Sequence, residues 1–177
     1  EVILAIYIKR LKGQYLDVHP LDPNDPPSLT VPFLQLEPIR GLGVPDIKAA
    51  LERCRSPQNR GPGFTINGYA MQNDNFPFGP GFPFGTDMGP KPIKFLFESS
   101  GLQTNGESYL DYTIRLQYTA KEEGTYTFGP AVFKGNIVVD VDPQGRAIPK
   151  PIFAVGPACA VRVVPPPEQG RPASYVG

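Results

Sequence analysis

The 177 residues suit one ordinary domain, and Pro and Gly number 23 and 19, together about twice their average share; a chain broken that often cannot supply the long helices of a helix bundle or a doubly wound α/β fold. Lys+Arg and Asp+Glu are 17 each, so no net field favours nucleic acid or an anionic membrane. One His, two Cys and no Trp exclude His-rich metal sites and most Cys/His zinc modules.

Residues 2–8, Val-Ile-Leu-Ala-Ile-Tyr-Ile, are apolar throughout, which predicts a strand buried on both faces. The chain opens inside this strand, so it is read as an internal fragment of a longer protein. Lys9–Gly13 and Asp22–Pro27 read as turns, because Pro presets φ and Asx side chains close turns. Between them Tyr15–His19 is predicted as a short edge strand. Leu29–Leu36 alternates as a further strand, which Pro32 confines to an edge or a bulge.

The only predicted helix is Pro45–Arg55. Pro45 stands near its first turn, and Ile47, Ala50, Leu51 and Cys54 recur at helical spacing. Beyond it, residues 56–92 are dense in Pro and Gly and have no period, and Phe76-Pro-Phe-Gly79 recurs as Phe82-Pro-Phe-Gly85. A loop this long inside a domain is functional or disordered. Its aromatic residues Phe64, Tyr69, Phe76, Phe78, Phe82 and Phe84 leave two alternatives. Exposed, they form a partner-binding patch; folded back, they build a second small core. Residues 38–92 as a whole read as an insertion carrying the helix.

Pattern returns with a short strand at Ile93–Glu98 and a strictly alternating one at Tyr109–Tyr118. There Leu110, Tyr112, Ile114, Leu116 and Tyr118 share one face. Strands at Thr125–Phe133, Gly135–Val141 and Ile152–Val164 follow, with a hairpin loop at Asp142–Lys150. Seven or eight short strands separated by turn signals predict an all-β, immunoglobulin-like β-sandwich over residues 1–164. Pro165–Gly177 reads as a stiff linker toward a following domain. Glu123-Gly-Thr-Tyr126 has the look of an immunoglobulin-type corner, in which the tyrosine hydroxyl folds back onto the chain; the alternative is a plain core aromatic.

Catalytic constellations are not evident. His19 is the sole histidine, and no Gly-x-Ser-x-Gly elbow accompanies it. Cys159 is placed on the inward side of its strand and Cys54 at a helix C-terminus, where the dipole raises a thiol pKa. An exported protein permits a Cys54–Cys159 disulfide, and the bridge stays open as an alternative to two free thiols. Asp140-Val-Asp142-Pro-Gln-Gly145 imitates the start of a calcium loop, but position twelve is Pro151 in place of Glu, so a turn explains it better. No apolar run approaches the roughly 18–20 residues of a membrane span. No catalytic residue, cofactor or metal is assigned.

The stretch Tyr118-Thr-Ala-Lys-Glu-Glu-Gly-Thr-Tyr-Thr-Phe-Gly-Pro-Ala-Val-Phe-Lys-Gly135 resembles the recurrent unit of the BatD (oxygen tolerance, aerotolerance) family: a strand ends, a glycine turn intervenes, and a Gly-x-aromatic strand follows. The ending Gly170-Arg-Pro-Ala-Ser-Tyr-Val-Gly177 is similar to the junction at which those proteins pass to their next sandwich. The resemblance implies an exported, membrane-anchored bacterial protein of tandem immunoglobulin-like domains in the periplasm or cell envelope. It implies a scaffold for protein partners such as von Willebrand factor A-domain proteins, and it carries no catalytic residues. A carbohydrate-binding sandwich, with Tyr15, Tyr69 or Tyr109 stacking on sugars, is the alternative.

Overall fold

β1 (Val2–Lys9) forms because the β-branched and aromatic residues Val2, Ile3, Ile6, Tyr7 and Ile8 dominate it. The computed structural model describes residues 1–34, 39–43, 47–56, 58, 60–69 and 92–165. After β1, Gly13–Tyr15 makes a single 3-10 turn, and Tyr15–His19 is not the expected edge strand, since residues 16–18 are turn and bend. β2 (Ser28–Thr30) follows, then a second 3-10 turn at Pro32–Leu34. Pro32 therefore ends the strand and opens a turn, because it has no N–H to give a ladder. Next come β3 (Leu42–Gly43), the helix α1 (Ile47–Cys54) and β4 (Thr65–Ile66). The α1 residues Ile47, Ala50 and Leu51 are buried and Cys54 is half-buried, as the helical spacing requires.

β5 (Glu98–Thr104) and β6 (Glu107–Leu116) make a hairpin in unbroken register. Its two-residue turn is Asn105-Gly106, with φ of 51° and 74°. Both residues of such a turn need positive φ, which Asn and Gly tolerate best. The chain continues through β7 (Thr119–Ala120), β8 (Gly124–Phe128), β9 (Val132–Val141), β10 (Ala147–Val155) and β11 (Cys159–Val163). The expected strands Thr125–Phe133 and Ile152–Val164 are each split in two. The first breaks at Gly129-Pro130, whose peptide bond is cis; the second breaks over residues 156–158. Ile93–Glu98 is not a strand: Phe95 makes only isolated bridges to Arg55 and Phe64.

The strands assemble as an all-β, sandwich-like fold. One sheet has the order β1-β6-β5 and another β10-β9-β2-β4, with short pairs β8-β11 and β3-β7 completing it. Among the described residues all strand pairings are antiparallel except β2 with β4. The core draws Ile8, Tyr112, Ile114 and Leu116 from the first sheet, and Leu29 and Ile66 from the second. Phe64 seals it, stacked on Phe97 with centroids 5.2 Å apart and edge-on to Tyr112 at 5.1 Å. β9 is pressed so closely onto residue 27 that a Cβ on Gly135 would lie 2.5 Å from the Pro27 side chain.

Two sequence expectations change here. β1 is not buried on both faces: it is an edge strand, with Ile3 and Tyr7 exposed on its outer side. Nor is the whole of 38–92 an excursion. Residues 64–66 belong to the core and to β4, and Asn67 ties the segment to β2. Its Oδ1 accepts from Val31 N at 2.7 Å, and its Nδ2 donates to Val31 O at 3.0 Å. The side-chain amide thus replaces a missing strand partner.

Candidate interaction surfaces

β10 is the outer strand of its sheet. Pairing sets Phe153 opposite Lys134 and Val155 opposite Val132, so the two apolar side chains share the outward face, two residues apart. Phe153 is 69% exposed and Val155 56%. Such a ring in water forfeits its burial free energy, on the order of 1.5–3 kcal/mol. A second apolar face lies on β11. Val161 stands opposite Tyr126 and Cys159 opposite Phe128; those two aromatics are buried while Val161 and Cys159 are exposed. The apolar face therefore runs past the rim of the core.

That geometry corrects the expectation for the cysteines. Cys159 does face the side of Phe128, but β11 pairs only with β8 among the described residues, and Cys159 there is left exposed. Cys54 and Cys159 are free thiols, so no disulfide joins them. Burial pushes the Cys54 thiol up from its ordinary pKa, which keeps it protonated and unreactive at neutral pH.

A cavity of about 560 Å³ opens between residues 9–15 and β9, lined by Lys9, Arg10, Lys12 and Tyr15 on one side and Ile137–Asp140 on the other. Its cations are already engaged. Glu107 takes Lys12 Nζ at 2.7 Å and Lys9 Nζ at 2.9 Å, and these two ammonium groups hold its carboxyl below the usual range. Arg10 Nη2 donates to Leu16 O at 2.6 Å.

His19 accepts from Leu21 N at Nδ1, 3.1 Å away. The same nitrogen lies 3.2 Å from Leu21 O, and Nε2 faces the Tyr112 hydroxyl at 3.2 Å, the tautomer deciding which partner donates. Burial lowers the histidine pKa and raises that of the tyrosine. Both ring nitrogens are thus spent on structural partners. Asp142 is likewise a turn residue: Oδ1 accepts from Gln144 N at 2.9 Å and Arg146 N at 2.8 Å, and Oδ2 takes Arg146 Nε at 2.8 Å. These donors, the Arg146 amide foremost, depress its pKa.

Tyr126 closes a corner. Its hydroxyl lies 2.8 Å from Glu122 O and 3.0 Å from Gly41 O, folding back four residues and reaching across to the β3 segment. Of the aromatic residues singled out in the sequence, Phe64 is wholly buried and Tyr69 half-buried, its hydroxyl donating to Leu34 O at 3.0 Å. Phe76, Phe78, Phe82 and Phe84 lie outside the described residues, as does the linker from 166 onward. The surfaces on β10 and β11 escaped the sequence reading because alternation alone makes their side chains look internal. No helix among the described residues is long and apolar enough to cross a membrane.

No protein-family model, curated protein or solved structure matches this chain.

Proposed function

We propose that this chain is a non-catalytic protein-interaction domain of an exported, membrane-anchored envelope protein resembling the BatD family, where it acts as a scaffold for partners such as von Willebrand factor A-domain proteins. The observation that carries the reading is the 69% exposure of Phe153: among the described residues, no large apolar side chain is more exposed. An aromatic ring held on a paired strand is a low-entropy anchor of the kind that dominates protein interfaces. The sandwich-like fold supports the immunoglobulin-like organisation that the resemblance implies.

The test uses the chain as bait in solubilised envelope from the source organism, beside a Phe153→Ser/Val155→Ser variant. Recovery of A-domain proteins by the unmodified chain, lost in the variant while its unfolding free energy stays within about 0.5 kcal/mol, is the expected result. Equal recovery by both chains removes β10 from the reading, and recovery of other envelope proteins without any A-domain protein removes A-domain proteins as the partners.

A second reading, a carbohydrate-binding sandwich, is favoured by Tyr15, which lines the 560 Å³ cavity together with Lys12 and Asp140. A glycan array probed with the unmodified chain and a Tyr15→Ala variant separates the two.

A further inference from the structure

β1 pairs with β6 along its whole length and, among the described residues, with nothing on its other side. The ladder continues as Arg10 N donates to Ser108 O at 2.8 Å. Antiparallel partners exchange hydrogen bonds at alternate residues, so Val2, Leu4, Ile6 and Ile8 direct their amides and carbonyls to β6. Ile3, Ala5, Tyr7 and Lys9 direct theirs outward.

An exposed row of this kind is a template for another strand unless something blunts it. Other edges here are blunted: β10 carries Pro149, Lys150 and Pro151, and β5 carries Gly101 among mostly polar residues. β1 has no Pro, no Gly and no register shift, and its one charge is terminal Lys9. Ile3 and Tyr7 on its outer face are 47% and 56% exposed.

We propose that this edge pairs antiparallel with β1 of a second copy of the chain, centred on Ala5. The strand reads almost the same in both directions. Centred there, Ile3 faces Tyr7, Leu4 faces Ile6 and Val2 faces Ile8 of the other copy, and Ala5 faces itself on a two-fold axis. Outward-directed residues meet outward-directed residues, as hydrogen-bonded pairs require. β-Branched residues opposite aromatics are among the favourable cross-strand pairs.

Charge selects this register. Glu1 falls opposite Lys9 of the other copy at both ends. Within one copy Glu1 lies 3.8 Å from Arg115 and Lys9 lies 2.9 Å from Glu107, so each end becomes an alternating cluster of four charges. A slip by two residues sets Lys9 against Ile3 in one direction or Glu1 against Tyr7 in the other, and breaks both clusters. The product is a continuous six-stranded sheet, β5-β6-β1 joined to its two-fold mate.

Sedimentation velocity of the full chain from micromolar to millimolar concentration, paired with amide hydrogen exchange, tests this. The expected result is a rise in mass from 19.3 kDa to twice that value. Protection at Ile3, Ala5 and Tyr7 should increase in parallel, while Leu4 and Ile6, bonded to β6, stay protected throughout. Ile3→Lys/Tyr7→Lys sets lysine against lysine at both outer pairs and should raise the dissociation constant by about tenfold or more. Should that variant fail to fold, Glu1→Lys makes the same repulsion at exposed ends. A monomer at every concentration overturns the proposal. So does a dimer in which the Ile3, Ala5 and Tyr7 amides exchange as in the monomer, or one that a folded lysine variant leaves unweakened.

Discussion

Removing the Tyr126 hydroxyl isolates the corner from the core packing of the same ring. In Tyr126→Phe the carbonyl of Glu122 loses its donor at 2.8 Å. The Gly41 carbonyl keeps the amides of Lys121 at 2.9 Å and Glu122 at 3.2 Å, so only one acceptor is orphaned. One net hydrogen bond with one partly buried acceptor left open amounts to about 1–2 kcal/mol. For a domain of this size that lowers Tm by roughly 2–8 °C. Gly41 approaches the same hydroxyl from the other side: its φ is 79°, and a Cβ there would lie 2.6 Å from the oxygen. Gly41→Ala therefore combines backbone strain of about 1–2 kcal/mol with a steric clash whose severe contact is the hydroxyl, the next being Glu122 Oε2 at 3.3 Å. Urea unfolding of the two single variants and the double variant measures the coupling. The double variant should be more stable than the sum of the single losses predicts, because the 2.6 Å contact with the hydroxyl is gone. Strict additivity, or a Tyr126→Phe loss below about 0.5 kcal/mol, would refute the corner as a tie between β3 and β8.

Three further outcomes follow from the same structure. Phe64→Ala should cost about 3–5 kcal/mol by chemical denaturation, since Phe64 is wholly buried between Phe97 and Tyr112; a loss under 1.4 kcal/mol, about a tenfold change in the folding constant, would contradict that placement. Asn67→Ala should destabilise by about 1–3 kcal/mol, because Val31 loses both an acceptor and a donor, and Asn67→Asp should recover only the part owed to Val31 N. Because the folded-state pKa of His19 lies below its ordinary 6.5, the unfolded chain binds more protons between the two values. The contribution of His19 is thus complete above pH 6.5 and declines as pH falls toward the folded value. As His19 is the only histidine, a plot of Tm against pH should lose this slope in His19→Gln; an unchanged slope would show that the ring is not desolvated.

Alternation and turn chemistry were readable without any tertiary information. Tyr109–Tyr118 became β6 with Tyr112, Ile114 and Leu116 buried, because a period of two needs only one apolar side to be satisfied. Ile47, Ala50, Leu51 and Cys54 marked α1 by the same logic at a period of 3.6. Both the Asn105-Gly106 turn and β5 went unread, because Asn-Gly signals a hairpin only between two patterned strands and the exposed, mostly polar residues of β5 give no hydrophobic pattern.

What the chain alone determined was the local rule at each position: which residues alternate, which turn, which break a ladder. Tertiary structure decided whether an apolar face has anything to face. Residues 2–8 look doubly buried but lie at a sheet edge. Cys159 and Val161 point toward the core side of β11 and remain in water, and Phe64 and Asn67 leave an apparently patternless stretch to complete the core and β2. Period is a property of neighbours along the chain, whereas coverage depends on which strands pair, and that is set by contacts between residues far apart in sequence.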